Sequence, residues 1–113
     1  MKNFEFDHLI RELKRSSAPV VIFGTKKVGS LTYHALTNAG IKIDYFCDDA
    51  ESALNKKSIY NIPIISSKEL QKLDPELNVF IGAWVVYQIL IQLKKLKIKN
   101  VHNSVNLFKN TDF

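Results

Sequence analysis

The residues with the clearest chemical meaning lie in a glycine-containing turn near the beginning of the chain. Four apolar residues, Val20 to Phe23, are followed directly by Gly24, and Gly29 comes five positions later. Such a run suits a strand that is buried on both faces, and a glycine after it lets the chain turn sharply into a helix. The free amides at the start of that helix would carry a partial positive charge. The spacing therefore predicts a turn that faces a phosphate.

Position 26 distinguishes this turn from the glycine fingerprint of dinucleotide-binding domains. That fingerprint would place glycine at positions 24, 26 and 29, whereas this chain has Lys26 in the middle. Two interpretations follow: the Lys26 ammonium group binds a phosphate, as Lys27 would, or the Lys26 side chain occupies the space that a pyrophosphate needs. A Walker loop is excluded, because Ser30 and Leu31 follow Gly29 where that loop requires a lysine.

Two adjacent carboxylates end the next apolar segment of the chain. Asp48 lies 24 residues beyond Gly24, where an acidic residue at the end of a second strand binds a ribose hydroxyl in dinucleotide-binding domains. The structural alternative is a strand-end turn or a helix N-cap, which aspartate also favours. Asp49 would offer a further acceptor to a base or a sugar. With these two aspartates, the predicted ligand of the site becomes a nucleotide and not a phosphate alone.

The last part of the candidate site follows another apolar strand, at residues 78–83. Trp84 comes directly after it and would either stack on a base or sugar or pack beneath a loop. No pair of nucleophile and base stands out, and the three histidines fall on separate predicted elements, so we predict neither a catalytic residue nor a metal site. The predicted cofactor-binding residues are Gly24, Thr25, Lys26, Lys27, Val28, Gly29, Asp48, Asp49, Ala83 and Trp84.

Alternating strands and helices must position these residues. We expect an α/β fold: a single three-layer domain over residues 1–113, with a parallel five-stranded sheet of order 3-2-1-4-5 and an extra N-terminal helix. The helix would lie within residues 1–17, the core within 18–103 and a tail at 104–113, which would pack on the body or fray. The expected strands are 20–23, 41–47, 62–65, 78–83 and 99–103.

The expected sheet gathers the candidate residues at one edge. In an open parallel sheet the ligand crevice lies at the carboxyl ends of the strands, where the strand order reverses. The glycine turn, the two aspartates, the third strand end at Ser66 and the segment 82–84 should therefore rim one cleft. We expect the connection between the second and third strands to be too short for a full crossover helix.

Composition limits the classes of function. The chain has 16 Lys plus Arg against 11 Asp plus Glu, a net charge of +5 that an anionic ligand would use. The sequence contains no basic run interleaved with stacking aromatic residues, so we do not predict nucleic-acid binding. The single cysteine, Cys47, excludes an intrachain disulfide and suits a reducing compartment. Because we find neither a signal-peptide core nor an apolar run that would span a bilayer, we expect a cytoplasmic protein.

Four segments together resemble a known family. Residues 21–29 (VIFGTKKVG), 43–49 (IDYFCDD), 62–67 (IPIISS) and 78–82 (NVFIG) are similar to the Rossmann-like domain of bacterial surface-polysaccharide biosynthesis proteins. That domain precedes the left-handed helix in sugar acyltransferases of the PglD type. The resemblance implies binding of a UDP-sugar, with Gly24 and Gly29 near a phosphate and Asp48 and Asp49 near the nucleotide.

Two departures from that family shape the functional hypothesis. Lys26 replaces the middle glycine, and no hexapeptide-repeat acyltransferase domain follows within these 113 residues. The leading hypothesis is a nucleotide or nucleotide-sugar binding module of glycan biosynthesis that lacks a complete catalytic site. It would act with a carbohydrate-modifying enzyme, as a homo-oligomer, or as part of a longer protein. The alternatives are an NAD(P)-dependent oxidoreductase-like domain and a ligand-free scaffold or oligomerisation domain.

Overall fold

The computed structural model describes residues 4–104 of the chain, in which helices and strands alternate. The helices are α1 (Phe4–Arg15), α2 (Lys27–Asn38), α3 (Glu51–Lys56), α4 (Ser67–Leu70) and α5 (Val86–Lys95). The strands are β1 (Val20–Phe23), β2 (Tyr45–Cys47), β3 (Ser58–Ile59), β4 (Ile62–Ile65), β5 (Asn78–Ile81) and β6 (Asn100–Asn103). None of the described helices is long and apolar enough to cross a membrane. Beyond Ser104, the expected tail lies outside the described residues.

The sheet confirms the α/β class and corrects its details. Its six strands lie in the order β3-β4-β2-β1-β5-β6. β4, β2, β1, β5 and β6 pair in parallel, whereas β3 pairs antiparallel with β4. The expectation of five strands in the order 3-2-1-4-5, all parallel, was therefore wrong in its count and at its edge. The added strand lies in the connection between β2 and β4.

A tight hairpin produces this extra strand. Ile59 pairs with Ile62, so Tyr60 and Asn61 alone form the turn, with φ angles of 51° and 61°. Two central residues with positive φ fit the twist of a two-residue hairpin. The Tyr60 ring stacks on Tyr33 of α2 with 4.3 Å between ring centroids, and its hydroxyl contacts the Ser30 hydroxyl. These contacts fasten the sheet edge to α2.

The connection after β2 also contains a helix that we did not expect. The Asp48 Oδ1 atom accepts a hydrogen bond from the Ala50 amide at 2.9 Å, and α3 begins at the next residue. Ala53 is the residue of α3 that is buried against the core. Aspartate stabilises such a local turn because its side chain reaches the backbone amide two residues later. A helix of six residues therefore fits where a full crossover helix would not.

Strand β2 is shorter than the expected 41–47. Its described span is Tyr45–Cys47, and the chain before it is held by Asp44. The Asp44 Oδ2 atom accepts from the Val20 amide at 2.9 Å, and the Asp44 amide donates to the Val20 carbonyl at 2.9 Å. At the start of β1, the Asp44 carboxylate therefore accepts the hydrogen bond that a neighbouring strand would otherwise accept. The alternation of apolar and polar residues in the sequence does not predict this side-chain bond.

Two apolar clusters cover opposite faces of the sheet. Val20 and Ile22 of β1 belong to the cluster that includes residues of α1, α2 and α3. Val21 and Phe23 belong to the other cluster, which includes Leu70 of α4 and Leu93 of α5. Because successive side chains of a strand point to opposite faces, β1 is buried on both sides. The sheet is therefore the middle of three layers, with β1 near its centre.

Candidate functional site

The floor of the candidate site is built from three glycines. A Cβ atom on Gly24 would collide with the Gly82 carbonyl, and one on Gly29 would collide with the Gly24 carbonyl. A Cβ atom on Gly82 would lie 2.8 Å from the Gly29 Cα atom. Gly24 also has a φ of 127°, in the region that L side chains rarely adopt. The ends of β1 and β5 therefore contact the start of α2 backbone to backbone.

The start of α2 carries positive charge that no protein side chain neutralises directly. Lys26 occupies the N-cap position in an extended conformation and makes no capping hydrogen bond with its side chain. No acidic residue lies in the first turn of α2. The first amides of a helix have no acceptor within the helix, and they attract anions. Lys26 and Lys27 are both exposed at this end. The arrangement is suited to hold a phosphate or another anion.

These elements enclose a cleft of about 380 Å³. That volume falls in the range of small-molecule sites, which is roughly 300–1,000 Å³. The cleft is lined by Gly24, Thr25, Lys26, Lys27, Val28, Asp48, Gly82, Ala83, Trp84 and Val85. The structure thus brings together every predicted site residue except Gly29 and Asp49. Gly29 is buried against the Gly24 carbonyl below the cleft, and Asp49 takes part in a different contact.

Asp48 joins the glycine turn to the end of β2. Its Oδ2 atom accepts from the Thr25 hydroxyl at 2.8 Å, while Oδ1 accepts from the Ala50 amide. Asp48 therefore forms a turn at the end of β2, as the structural interpretation predicted, and it also lines the cleft. Each carboxylate oxygen has two acceptor sites, so these bonds leave capacity for a ligand hydroxyl. The two interpretations of Asp48 are compatible.

Asp49 holds three elements together instead of lining the cleft. Its Oδ1 atom accepts from the Ser67 amide at 2.8 Å, and its Oδ2 atom accepts from Gln92 Nε2 at 2.9 Å. Partial burial opposes the charged carboxylate, but the hydrogen bonds from Ser67 and Gln92 outweigh it and lower the pKa of Asp49. The bonds connect the end of β2 to α4 and α5. Asp49 is not among the residues that line the cleft, and its predicted place beside a nucleotide stays a prediction.

Trp84 and Val85 form the exposed rim of the cleft. Trp84 is 76% exposed and Val85 is 56% exposed, so the indole ring does not pack beneath a loop of the described chain. An exposed indole offers a flat apolar face to a base or sugar. Val85 was missing from the prediction, and Gly82 was expected at the rim of the cleft but was not among the predicted binding residues. The signal for Gly82 was present, since glycine at a strand end indicates a close approach of backbone.

Other polar groups near the strand ends have structural roles. Ser66, expected at the cleft, instead caps α4, where its hydroxyl accepts from the Glu69 amide at 3.3 Å. Cys47 is buried, and its burial, with the charges of Asp49 and Asp48, raises the pKa of the thiol. A thiol with a raised pKa is a poor nucleophile. Among the described residues, no group of three or more His, Cys, Asp or Glu side chains is placed to hold a metal ion.

Comparisons with known proteins did not assign this chain to a family. No family model matches the chain, and the search of curated proteins likewise gave no match. The similarity to surface-polysaccharide biosynthesis domains therefore rests on the four sequence segments alone. The function has to be argued from the cleft itself.

Proposed function

We propose that this cleft binds a nucleotide or nucleotide-sugar and that the chain is a binding module without a complete catalytic site. The observation that carries the proposal is the mutual packing of Gly24, Gly29 and Gly82, beside an uncapped helix start. The Gly24 and Gly82 amides donate to the Cys47 and Phe23 carbonyls. The amides that would face a phosphate are therefore those at the start of α2, where the helix dipole favours negative charge. The resemblance adds the pathway: cytoplasmic biosynthesis of a bacterial surface glycan, with a UDP-sugar as the favoured ligand.

Each part of such a ligand has a matching group in the cleft. The phosphates would lie at the first amides of α2, with Lys26 and Lys27 supplying ionic contacts. A ribose hydroxyl would donate to Asp48, whose carboxylate already faces Thr25. The base or sugar would stack on the exposed indole of Trp84. These roles use binding groups only, which is why the proposal stops short of a reaction.

Isothermal titration calorimetry tests this proposal directly. We expect heat of binding when UDP, UDP-N-acetylglucosamine or CDP-linked sugars are added to the folded protein. Lys27→Gln should weaken binding about tenfold or more, because hydrogen bonds to charged groups contribute about 1.5–3 kcal/mol. The matched control is Lys56→Gln, which removes the same charge from the exposed end of α3. Absence of heat with every nucleotide, in a sample that circular dichroism shows to be folded, would rule the proposal out.

A dinucleotide is the second candidate ligand, and Lys26 decides between the two. Lys26 is the position at which the turn departs from the dinucleotide fingerprint, and its side chain is exposed beside the cleft. If Lys26 occupies the pyrophosphate space, Lys26→Gly should create measurable NAD(P) affinity. If Lys26 binds a phosphate, the same variant should instead weaken UDP binding. The first result would favour the oxidoreductase-like alternative, and the second would favour the nucleotide-sugar module. A protein that binds neither ligand before or after the substitution would fit the scaffold alternative.

A further inference from the structure

Helix α5 carries a second apolar surface that faces away from the core. We call it the α5 surface, and it consists of Trp84, Val85, Tyr87, Leu90 and Ile91, which are 76%, 56%, 75%, 42% and 40% exposed. Tyr87, Leu90 and Ile91 follow the i, i+3, i+4 spacing of one side of a helix, and Trp84 and Val85 directly precede α5 beside the cleft. The core-facing residues Val86, Ile89 and Leu93 lie on the other side. A surface helix is normally polar on its solvent side, so α5 departs from the usual pattern.

The size of this surface exceeds that of scattered exposed residues. Two aromatic side chains of roughly 150–250 Å² each, about three-quarters exposed, already contribute about 300 Å². Val85, Leu90 and Ile91 add to that area. The largest apolar patch on a monomeric protein is typically about 300–600 Å² and is often functional. The α5 surface reaches that range, which makes it a candidate for contact with an apolar partner.

Exposed lysines lie at both ends of the α5 surface. Lys26 and Lys27 line the cleft together with Trp84 and Val85, and Lys94 and Lys95 form the last turn of α5. No Asp or Glu occurs from Leu77 to Ser104 in the sequence. Within the described residues, none of these four lysines forms an ion pair with a carboxylate. The nearby carboxylates, Asp48 and Asp49, are engaged in hydrogen bonds inside the protein. The surface thus combines apolar side chains with unpaired positive charge.

This combination determines which partner fits. A second copy packed about a two-fold axis would bring lysines of the two α5 surfaces together, because both ends of each surface carry them. Like charges across an interface oppose association. A bilayer that contains anionic phospholipids offers negative headgroups to the lysines and an apolar boundary to the aromatic rings. Tryptophan and tyrosine favour that boundary because their rings are apolar and their N–H and O–H groups remain hydrated.

We propose that the α5 surface binds the protein peripherally to an anionic phospholipid bilayer. Trp84, Tyr87 and Ile91 enter the headgroup boundary, while Lys94 and Lys95 contact lipid phosphates. The proposal does not rest on the proposed function, since Tyr87, Ile91 and the two lysines do not line the cleft. Trp84 is shared with the cleft, so a bound nucleotide and the bilayer would compete for its indole. It places the described part of the chain on the membrane surface.

The chain contains an internal probe of this interaction. Trp84 is its single tryptophan. Because Trp84 also lines the cleft, its emission is recorded without nucleotide, so that a change on adding vesicles reports on the α5 surface. We expect vesicles of phosphatidylcholine with phosphatidylserine to shift the emission of the full chain to the blue. Vesicles of phosphatidylcholine alone should produce no shift. High salt should reverse the shift, because the screening length falls from about 10 Å at 0.1 M to about 3 Å at 1 M.

Paired variants separate the two contributions. Lys94→Gln with Lys95→Gln should weaken binding to the anionic vesicles about 25-fold, since each lysine contributes about fivefold near an anionic surface. Tyr87→Gln with Ile91→Gln keeps the net charge and should weaken binding about tenfold or more. The control for charge is Arg11→Gln with Lys56→Gln, which removes two positive charges from exposed positions of α1 and α3, across the sheet from α5. This control should leave binding within about twofold of the parent.

Several results would overturn the proposal. One is an emission spectrum that does not change with anionic vesicles, and another is an equal shift with neutral vesicles. An equal loss of binding in the Arg11 and Lys56 control would show that net charge, and not the α5 surface, drives adsorption. A blue shift that grows with protein concentration in buffer, with a dimer mass from light scattering, would assign the surface to self-association. Emission typical of a buried indole in buffer at every concentration would mean that the chain itself covers the surface.

Discussion

At the scale of single residues, two features set the start of α2: Gly29 has no side chain, and the Lys26 side chain makes no capping hydrogen bond. Gly29 contributes no side chain, and this absence lets the first turn of α2 lie directly on the Gly24 carbonyl. Lys26 contributes no cap, and this leaves the first helical amides open to an external anion. Both features would weaken an ordinary helix. The close packing on Gly24 explains Gly29, and the open amides are the groups that the proposed phosphate site would use.

Gly29→Ala tests this close contact through the sign of its effect. In an ordinary helix, replacing glycine with alanine stabilises the protein, by up to about 1 kcal/mol. At position 29 the new methyl group would collide with the backbone carbonyl of Gly24, which has no freedom to move aside. We therefore expect the free energy of unfolding to fall, by about 1–3 kcal/mol as for other overpacked sites. Urea denaturation measures the change.

Ser52→Ala in the exposed part of α3 is the matched control for helix propensity. It should leave the stability nearly unchanged or raise it slightly, since alanine is the better helix former. An increase in stability for Gly29→Ala would contradict the packing of α2 on the glycine turn. It would also remove the main support for the phosphate site.

At the scale of elements, the sequence predicted what local patterns encode. The apolar run before Gly24 identifies β1, because the whole signal lies within a few residues. The start of α4 is likewise local, since Ser66 and Glu69 form a capping box three residues apart. Strand β3 was missed because its turn is formed by Tyr60 and Asn61 and not by a glycine pair. That hairpin is stabilised by stacking on Tyr33, a contact between residues far apart in the sequence.

In the candidate site too, the placement that follows from the sheet topology was predictable, and the placement that depends on partners distant in the sequence was not. Eight of the ten predicted residues line the cleft, because strand ends of a parallel sheet meet at one edge whatever their side chains do. Asp49 does not line the cleft, and its partners, Ser67 and Gln92, lie 18 and 43 residues away. No spacing rule connects a strand-end aspartate to a glutamine in the last helix. The topology was readable from the sequence, whereas the direction of one side chain was not.

At the scale of the whole molecule, the helices on the two faces of the sheet are held by different contacts. The face that carries α1, α2 and α3 includes the aromatic contacts that fix the sheet edge. The face that carries α4 and α5 is held partly by Asp49, which joins both helices to β2. The cleft opens where β1 and β5 meet, between the two faces. Asp49 therefore stabilises one wall of the molecule without lining the cleft.

The dependence of global stability on pH measures the role of Asp49. Hydrogen bonds in the folded state lower the pKa of its carboxyl below the ordinary value of 3.8, so the unfolded chain takes up the proton first as the pH falls. The stabilisation is present above pH 3.8 and is lost as the pH falls through the folded-state pKa. Asp49→Asn should therefore be less stable than the parent at neutral pH, and the difference should shrink below pH 4. Urea unfolding midpoints at a series of pH values measure this difference.

Comparing parent and variant at each pH removes the contribution of His102. Burial lowers the pKa of His102, so its protonation destabilises both proteins equally as the pH falls below the ordinary value of 6.5. Glu51→Gln is the control, because Glu51 is exposed in α3 and makes no hydrogen bond or ion pair in the described structure. Its difference from the parent should be small at neutral pH. If the difference for Asp49→Asn did not change with pH, the bonds to Ser67 and Gln92 would not favour the ionised carboxylate. Asp49 would then be free to serve the cleft, as its place beside Asp48 in the sequence first indicated.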